Sequence, residues 1–441
     1  ECILEHVKKI VLLKCKCMRN LLLVYVSLLL VACNETKLEY ALRRAGDNRM
    51  ELEKVLLHYS QEKKDSLKLK AACFLIENMP GHYTKVGDIF ERCWELNTSF
   101  LNRKQLDLYA SVYMADGFYV TEDVASITAD YLIRHIDASF KLFEYSWVKE
   151  LPFEIFLEYV LPYRLEYERL NLWRDSLGVL KQSTEAQEAI DEYKYDASRV
   201  SLKLDAESDV SYQNSVQLFE RDVRNDCHYM YLSEVFCDRI KGIPSVLDFF
   251  PYYSNRNGSH YWHNIVSTYR NSSLIPGSSG YISGKVYRRT YSHNLLLSPG
   301  KDEYIPSLFR DPFNKDVTDV YFQTRDIIVD AKIKLPSNLH YGYLCVFNTL
   351  AWRPIAIGCK DNDAIKFENM GKNTLYLPVV FRERAMIAVN YPFALKQNGD
   401  VHYYIPDTLH KQQIRLYRKY PYTKRIEFSK LFSGSLIEGS N

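Results

Sequence analysis

The sequence lacks a net charge of any size: over 441 residues the formal charge is +2. A general nucleic-acid binder shows a strong basic excess, so that class has no support. The local basic run from Arg415 to Arg425 reads as solvated strand ends. After position 33 there is no CxxC pair, and HExxH is absent, so no zinc site has a local signature and no metal is expected. The cysteines after position 33 (Cys73, Cys93, Cys227, Cys237, Cys345 and Cys359) are too thinly spread to build a disulfide scaffold. Cys73 with Cys93, or Cys345 with Cys359, remain open as pairings. The apolar stretch Leu21 to Ala32 falls short of the roughly 20 residues that span a bilayer comfortably. One local absence bears on chemistry: no acidic residue lies between Asn264 and Gly284.

What is present is the composition of an ordinary globular protein, 47% hydrophobic and 25% charged, in a chain long enough for two to four domains. Aromatic residues make up 14%, with 35 tyrosines. They suit cores and sheet faces first, and peptide- or sugar-binding grooves second.

Met18-Arg19-Asn20 followed by Leu21–Ala32 and Leu30-Val31-Ala32-Cys33 has the pattern of a bacterial lipoprotein signal, with Cys33 as the lipidated residue after cleavage. This places the protein at the cell envelope, lipid-anchored and facing the periplasm or the surface, with the membrane as a partner through the anchor. Residues 1–33 are then upstream residues and signal peptide.

Residues 34–200 read mainly as helix. Asn48 and Glu51 form a capping pair ahead of Leu52, Val55, Leu56 and Tyr59 at helical spacing. Leu69, Ala72, Cys73 and Ile76 repeat that period until Pro80-Gly81. A further helix is expected over Glu122 to Leu142, and a short one between Leu151-Pro152 and Leu161-Pro162. The character changes near Val210. A helix from Cys227 to Ile240 ends at Gly242-Ile243-Pro244, followed by strands over Ser245–Phe250 and Tyr261–Val266. From Val317 onward short apolar alternations separated by turn signals, Asn398-Gly399-Asp400 among them, predict a β-sandwich. The fold class is therefore multidomain α+β.

Asn225-Asp226-Cys227-His228 opens the predicted helix, with Asp226 placed to cap it and Cys227 in its first turn. A helix N-terminus stabilises negative charge and so favours the thiolate. The base that such a nucleophile needs comes from elsewhere in the fold. His260, directly after the loop Asn255–Ser259, is the candidate. His228 points about 100° away from Cys227 on a helix and suits a pocket wall. His263 faces away from His260 on the strand.

The run from Cys227 through Gly242-Ile243-Pro244, Asp248-Phe249-Phe250-Pro251 and His260-Tyr261-Trp262 resembles the transglutaminase-like superfamily. The segments Asn78–Tyr83, Leu161–Arg164, Lys285–Tyr291 and Asp316–Thr318 resemble those of large transglutaminase-domain lipoproteins of gut Bacteroidota. The resemblance implies a helical N-terminal domain (34–200), a papain-like transglutaminase core (201–315), a β-sandwich (316–425), and at 426–441 the opening of a further domain. It implies that Cys227 is the nucleophile, His260 the base, and Trp262 an apolar wall beside the site. The family usually places an aspartate on the strand after the histidine strand, and this chain departs from that; Asn271 is the candidate amide to orient His260, with Asp302 a more distant candidate, and Gln217 is the candidate side-chain donor beside the Cys227 amide for an oxyanion. The implied activity is hydrolysis or acyl transfer at peptide or amide bonds, on a peptide, protein or glycopeptide substrate and without a cofactor. The alternative is a degraded enzyme scaffold that binds glycan or protein.

Overall fold

The computed structural model describes residues 35–86, 119–167, 170, 172, 174, 231, 235–236, 238–266, 282–294, 297–407 and 409. The chain divides into two units, the first formed by residues 1–146 and 161–179 and the second by 147–160 and 180–441. Mixed α+β architecture follows from the two together.

The described part of the first unit consists of α1 (Lys37–Arg44), α2 (Arg49–Ser60), α3 (Ser66–Glu77), a hairpin of β1 (Tyr83–Val86) with β2 (Tyr119–Glu122), and α4 (Ala129–Phe140). Thr36 caps α1, its Oγ1 accepting from the Glu39 amide at 3.1 Å, and Arg43 and Arg44 close the helix where cations oppose the dipole. Of the residues whose periodicity marks the core face, Leu52, Val55 and Tyr59 of α2 and Ala72 and Ile76 of α3 are buried, while Leu56, Leu69 and Cys73 are half-buried and Leu75 joins the core.

Two expectations for this unit are corrected. Asn48 stands before α2, but its backbone is already helical (φ −80°, ψ −3°) and its side chain makes no cap. Its Nδ2 donates instead to the carbonyls of Val124 (3.2 Å) and Ile127 (3.0 Å), while Glu51 accepts from the Ala129 amide at 2.8 Å. The pair ties α2 to the start of α4. The helix expected from Glu122 begins only at Ala129, where Thr128 caps it. Before that, Asp123 is fully buried and accepts from Arg164 (2.6 and 2.7 Å) and from the Tyr163 hydroxyl (3.0 Å). A tertiary partner thus decides the local conformation.

The second unit contains α5 (Phe153–Tyr159) and two sheets. The smaller has the antiparallel order β4 (His260–Ile265), β3 (Ser245–Phe250), β5 (Tyr287–Arg289), β6 (Asn314–Asp316), with α6 (Ser307–Arg310) ahead of β6 and α7 (Thr318–Tyr321) behind it. Every residue of β3 is buried, as expected of a strand covered on both faces.

The larger sheet comprises β7 (Thr324–Asp330), β8 (Tyr341–Asn348), β9 (Ala351–Asp361), β10 (Ala364–Gly371), β11 (Thr374–Arg382), β12 (Ala385–Ala388), β13 (Phe393–Leu395) and β14 (Val401–Tyr403). Its order is β14-β13-β11-β8-β9-β10-β7, with β12 also on β11. A sandwich would divide these strands between two stacked sheets, whereas here one hydrogen-bonded path joins them into a curled half-barrel. Register shifts at Leu344/Cys345 and Phe367/Met370 add the local bend that curling needs. Leu344 and Val346 point into the curl beside Ile355, Ile365, Phe367, Tyr376 and Phe393. Tyr343 and Cys345 point outward, against Phe249 and Tyr287 of the small sheet and Phe309 of α6. Burial of such side chains contributes about 1.5–3 kcal/mol each, which fastens the small sheet to the back of the half-barrel.

The Cys345–Cys359 pairing is excluded, and both thiols are free. In the β8–β9 register Cys345 faces Pro354, whereas Cys359 faces Tyr341, about 13 Å further along β8 and beyond the reach of a disulfide.

Candidate functional site

Tyr231, residues 235–236 and residues 238–240 are helical. The helix stops at Gly242, whose φ of +79° continues the chain in the left-handed region. The amides of Lys241 and Ile243 return to the Asp238 carbonyl (2.9 and 3.0 Å) and that of Gly242 to Arg239 (3.2 Å). Ile243-Pro244 then leads directly into β3. The loop 251–259 connects β3 to β4, and His260 is the first residue of β4, opposite Phe250.

His260 is half-buried among aromatic rings. Trp262 lies at 5.7 Å and Tyr253 at 6.4 Å, both stacked; Phe250 lies at 5.7 Å, and Tyr231 meets the imidazole edge-on at 6.4 Å. Such walls hold the imidazole in one plane, and its Nε2 is removed from solvent.

Trp262 is fully buried, and its Nε1 donates to the Tyr321 hydroxyl at 3.0 Å. That hydroxyl donates to Asp248, which also accepts two hydrogen bonds of 2.8 Å from Arg288 and one of 3.3 Å from Asn264. Burial, with the Asp248 charge adding to it, pushes the Tyr321 hydroxyl well above its ordinary range, so it stays a donor. Burial pulls Arg288 down, but the charge and hydrogen bonds of Asp248 outweigh it and hold the guanidinium above its ordinary value. Trp262 is therefore a core residue as well as a wall against His260.

On the opposite side of β4, His263 Nε2 lies 2.9 Å from Asp238 Oδ2, and both are largely shielded from solvent. Asp238 lies 25 positions away in the chain, and no local motif marks the pair.

Asp302, the alternative orienting residue, is exposed in a turn with φ +62°. The next residue, Glu303, accepts from the amides of His340 (3.0 Å) and Tyr341 (2.8 Å), at the start of β8. The loop that leads into His260 is bound to the other end of β8, roughly 20 Å away along the strand. Asp302 is thus not a partner of His260. Cys227, His228, Gln217, Asn271 and Cys33 lie outside the described residues. Among the described residues no helix is long and apolar enough to cross a membrane.

No protein-family model, curated protein or solved structure matches the chain.

Proposed function

We propose that the protein is a thiol-dependent hydrolase or acyl transferase acting on peptide or amide bonds, tethered at the cell envelope through Cys33. The observation that carries this reading is the aromatic seat of His260 and its ring contact with helical Tyr231. Cys227 precedes Tyr231 by four positions, the spacing of residues that share one face of a helix. The resemblance of the surrounding segments to transglutaminase-like proteins, with their papain-like core, supports the same two residues.

In this reading the Cys227 thiolate attacks the amide carbonyl, and the C–N bond breaks with a proton passing from His260 to the leaving amine. Water then attacks the thioester in hydrolysis, or a second amine attacks it in transfer. Either regenerates the thiol, with His260 taking the attacking group's proton. Asn271 orients the imidazole, Gln217 and the Cys227 amide hold the oxyanion, and Trp262 and His228 line the pocket. Peptides, proteins and glycopeptides are the substrate class. The test is turnover of a panel of peptide and glycopeptide amides by the parent and by Cys227→Ala, with folding checked by circular dichroism. Loss of turnover in a folded variant is expected, and equal rates would overturn the reading.

A second reading, a scaffold that binds glycan or protein, is favoured by one feature. Phe347 and Trp352 pack edge-on at 5.5 Å beside the exposed Leu350, at the β8–β9 turn. An exposed aromatic cluster of this kind suits a binding surface.

A further inference from the structure

The β8–β9 turn reaches into the loop that carries His260. Asn348, the last residue of β8, is fully buried although it stands at a hairpin tip. Its Nδ2 lies within hydrogen-bond distance of three carbonyls of that loop, those of Tyr253 (3.1 Å), Arg256 (2.9 Å) and Gly258 (3.0 Å). Its Oδ1 accepts from the Gly258 amide at 3.1 Å and from the Thr349 hydroxyl at 2.8 Å. The neighbouring Thr349 amide donates to Asn257 Oδ1 at 2.8 Å. One carboxamide therefore replaces the backbone partners that a loop of this length would otherwise lack.

The loop closes on itself where Asn348 binds it. The Tyr253 amide donates to the Gly258 carbonyl at 3.0 Å, and Gly258 turns the chain with φ +94°, a conformation that glycine adopts without cost to a side chain. Both residues of that closure bear on His260. Tyr253 stacks on the imidazole, and Gly258 lies two residues before it. The backbone that sets the height of the ring and one of the rings that set its plane are thus fixed through the same amide.

The tip itself is held in an unfavourable conformation. Thr349 and Leu350 both have positive φ (48° and 60°), and neither is glycine or asparagine. A β-branched residue in the left-handed region persists only where its surroundings over-determine it, and here those surroundings are Asn348 and Asn257.

We infer that Asn348 is a positioning residue for His260, so that the half-barrel is a working part of the site and not an appended module. The inference rests on the proposed role of His260 as the base. It makes no claim about which amide the site attacks. Asn348 does not touch the reacting atoms in this account; it fixes the loop that presents the imidazole.

The test uses the full-length protein with 13C-labelled histidine, comparing the parent with Asn348→Asp and Asn257→Ala. Asn362→Gly, at the separate β9–β10 turn, is the control. Asn348→Asp keeps the shape and the acceptor but sets a carboxylate against three carbonyls. Asn257→Ala loosens the same junction from its exposed side, so it decides the matter if the first variant does not fold. The His260 ring signal is identified by its loss in His260→Asn. A positioning role predicts that both junction variants move that signal and the midpoint of its pH titration, while Asn362→Gly does neither. Labelling of Cys227 by iodoacetamide should then fall roughly ten- to a hundredfold in the two junction variants. A His260 signal and titration that superimpose on the parent in folded variants would overturn the inference, whatever happens to thermal stability. If Cys227 of the parent reacts no faster than the exposed Cys359, the catalytic reading fails. The nuclear resonance comparison still decides whether Asn348 positions His260.

Discussion

Asp248 and Arg288 lie on adjacent strands of the small sheet and share two parallel hydrogen bonds of 2.8 Å, with both side chains almost wholly removed from solvent. The Arg288 guanidinium also sits 6.0 Å from the Tyr159 ring of α5, and Tyr321 links the carboxylate onward to Trp262. A charged group thus anchors the strand that carries the aromatic seat of His260.

Removing one partner strands the other charge in the interior. Arg288→Leu is expected to lower the unfolding free energy of the second unit by about 3–5 kcal/mol, read by denaturant titration. The double replacement Asp248→Leu/Arg288→Leu should lose markedly less than the single one. A single variant within about 1 kcal/mol of the parent would show that the pair contributes little.

Glu158 of α5 gives a pH signature. Burial raises its carboxyl above the ordinary value of about 4.3, although the amides of Tyr291 (2.6 Å) and Ser292 (3.2 Å) donate to it and act the other way. A carboxyl raised in the folded state binds more protons there than when unfolded. Its contribution is complete below the unfolded value and is lost as pH rises through the folded one. Glu158→Gln should therefore gain on the parent as pH climbs from the ordinary carboxylate range toward neutrality. A stability difference that stays constant across that range would contradict the assignment.

Much of this architecture is legible in the sequence, and the parts that are not share a cause. The strand Ser245–Phe250 declares itself because four of its six residues, Val246, Leu247, Phe249 and Phe250, are apolar and strand-forming and lie between the turn signals Gly242-Ile243-Pro244 and Pro251, and Gly242-Ile243-Pro244 marks the helix end by chemistry local to the turn. The late start of α4 does not show, since it depends on Arg164 reaching Asp123 from 41 positions away. Neither the eight-residue β10, whose polar Lys366, Glu368 and Asn369 interrupt the apolar pattern, nor the three-residue β13 stands out in the sequence. Thr349-Leu350 lacks the glycine or asparagine that announces a tight hairpin turn, and nothing adjacent to Asn348 reveals its loop partners, which lie 90 to 95 positions upstream. For the candidate site, His260 and Trp262 are singled out through the resemblance of their segment to transglutaminase-like proteins, whereas Asp238, which pairs with His263 from 25 positions away, has no local signal.

The same hairpin supplies a stability test. A left-handed residue other than glycine costs roughly 1–2 kcal/mol, and Leu350 is exposed, so its side chain offers little in return. Leu350→Gly is expected to raise the unfolding free energy by about 0.5–1 kcal/mol, after the greater freedom of glycine in the unfolded chain is counted. A loss of stability would instead assign the leucine a packing role.

The central claim is that Cys227 and His260 work as a pair, and pH-dependent labelling of the intact protein with a thiol-reactive probe tests it most directly. Mass spectrometry of the modified peptides reads the rate at each cysteine. The account predicts that Cys227 reacts well below the pH at which a free thiol ionises, about 8.5, and that His260→Ala brings its profile to the one measured in the same experiment at the exposed Cys359. A Cys227 profile that matches Cys359 in the parent, or one that His260→Ala leaves unchanged, would contradict it.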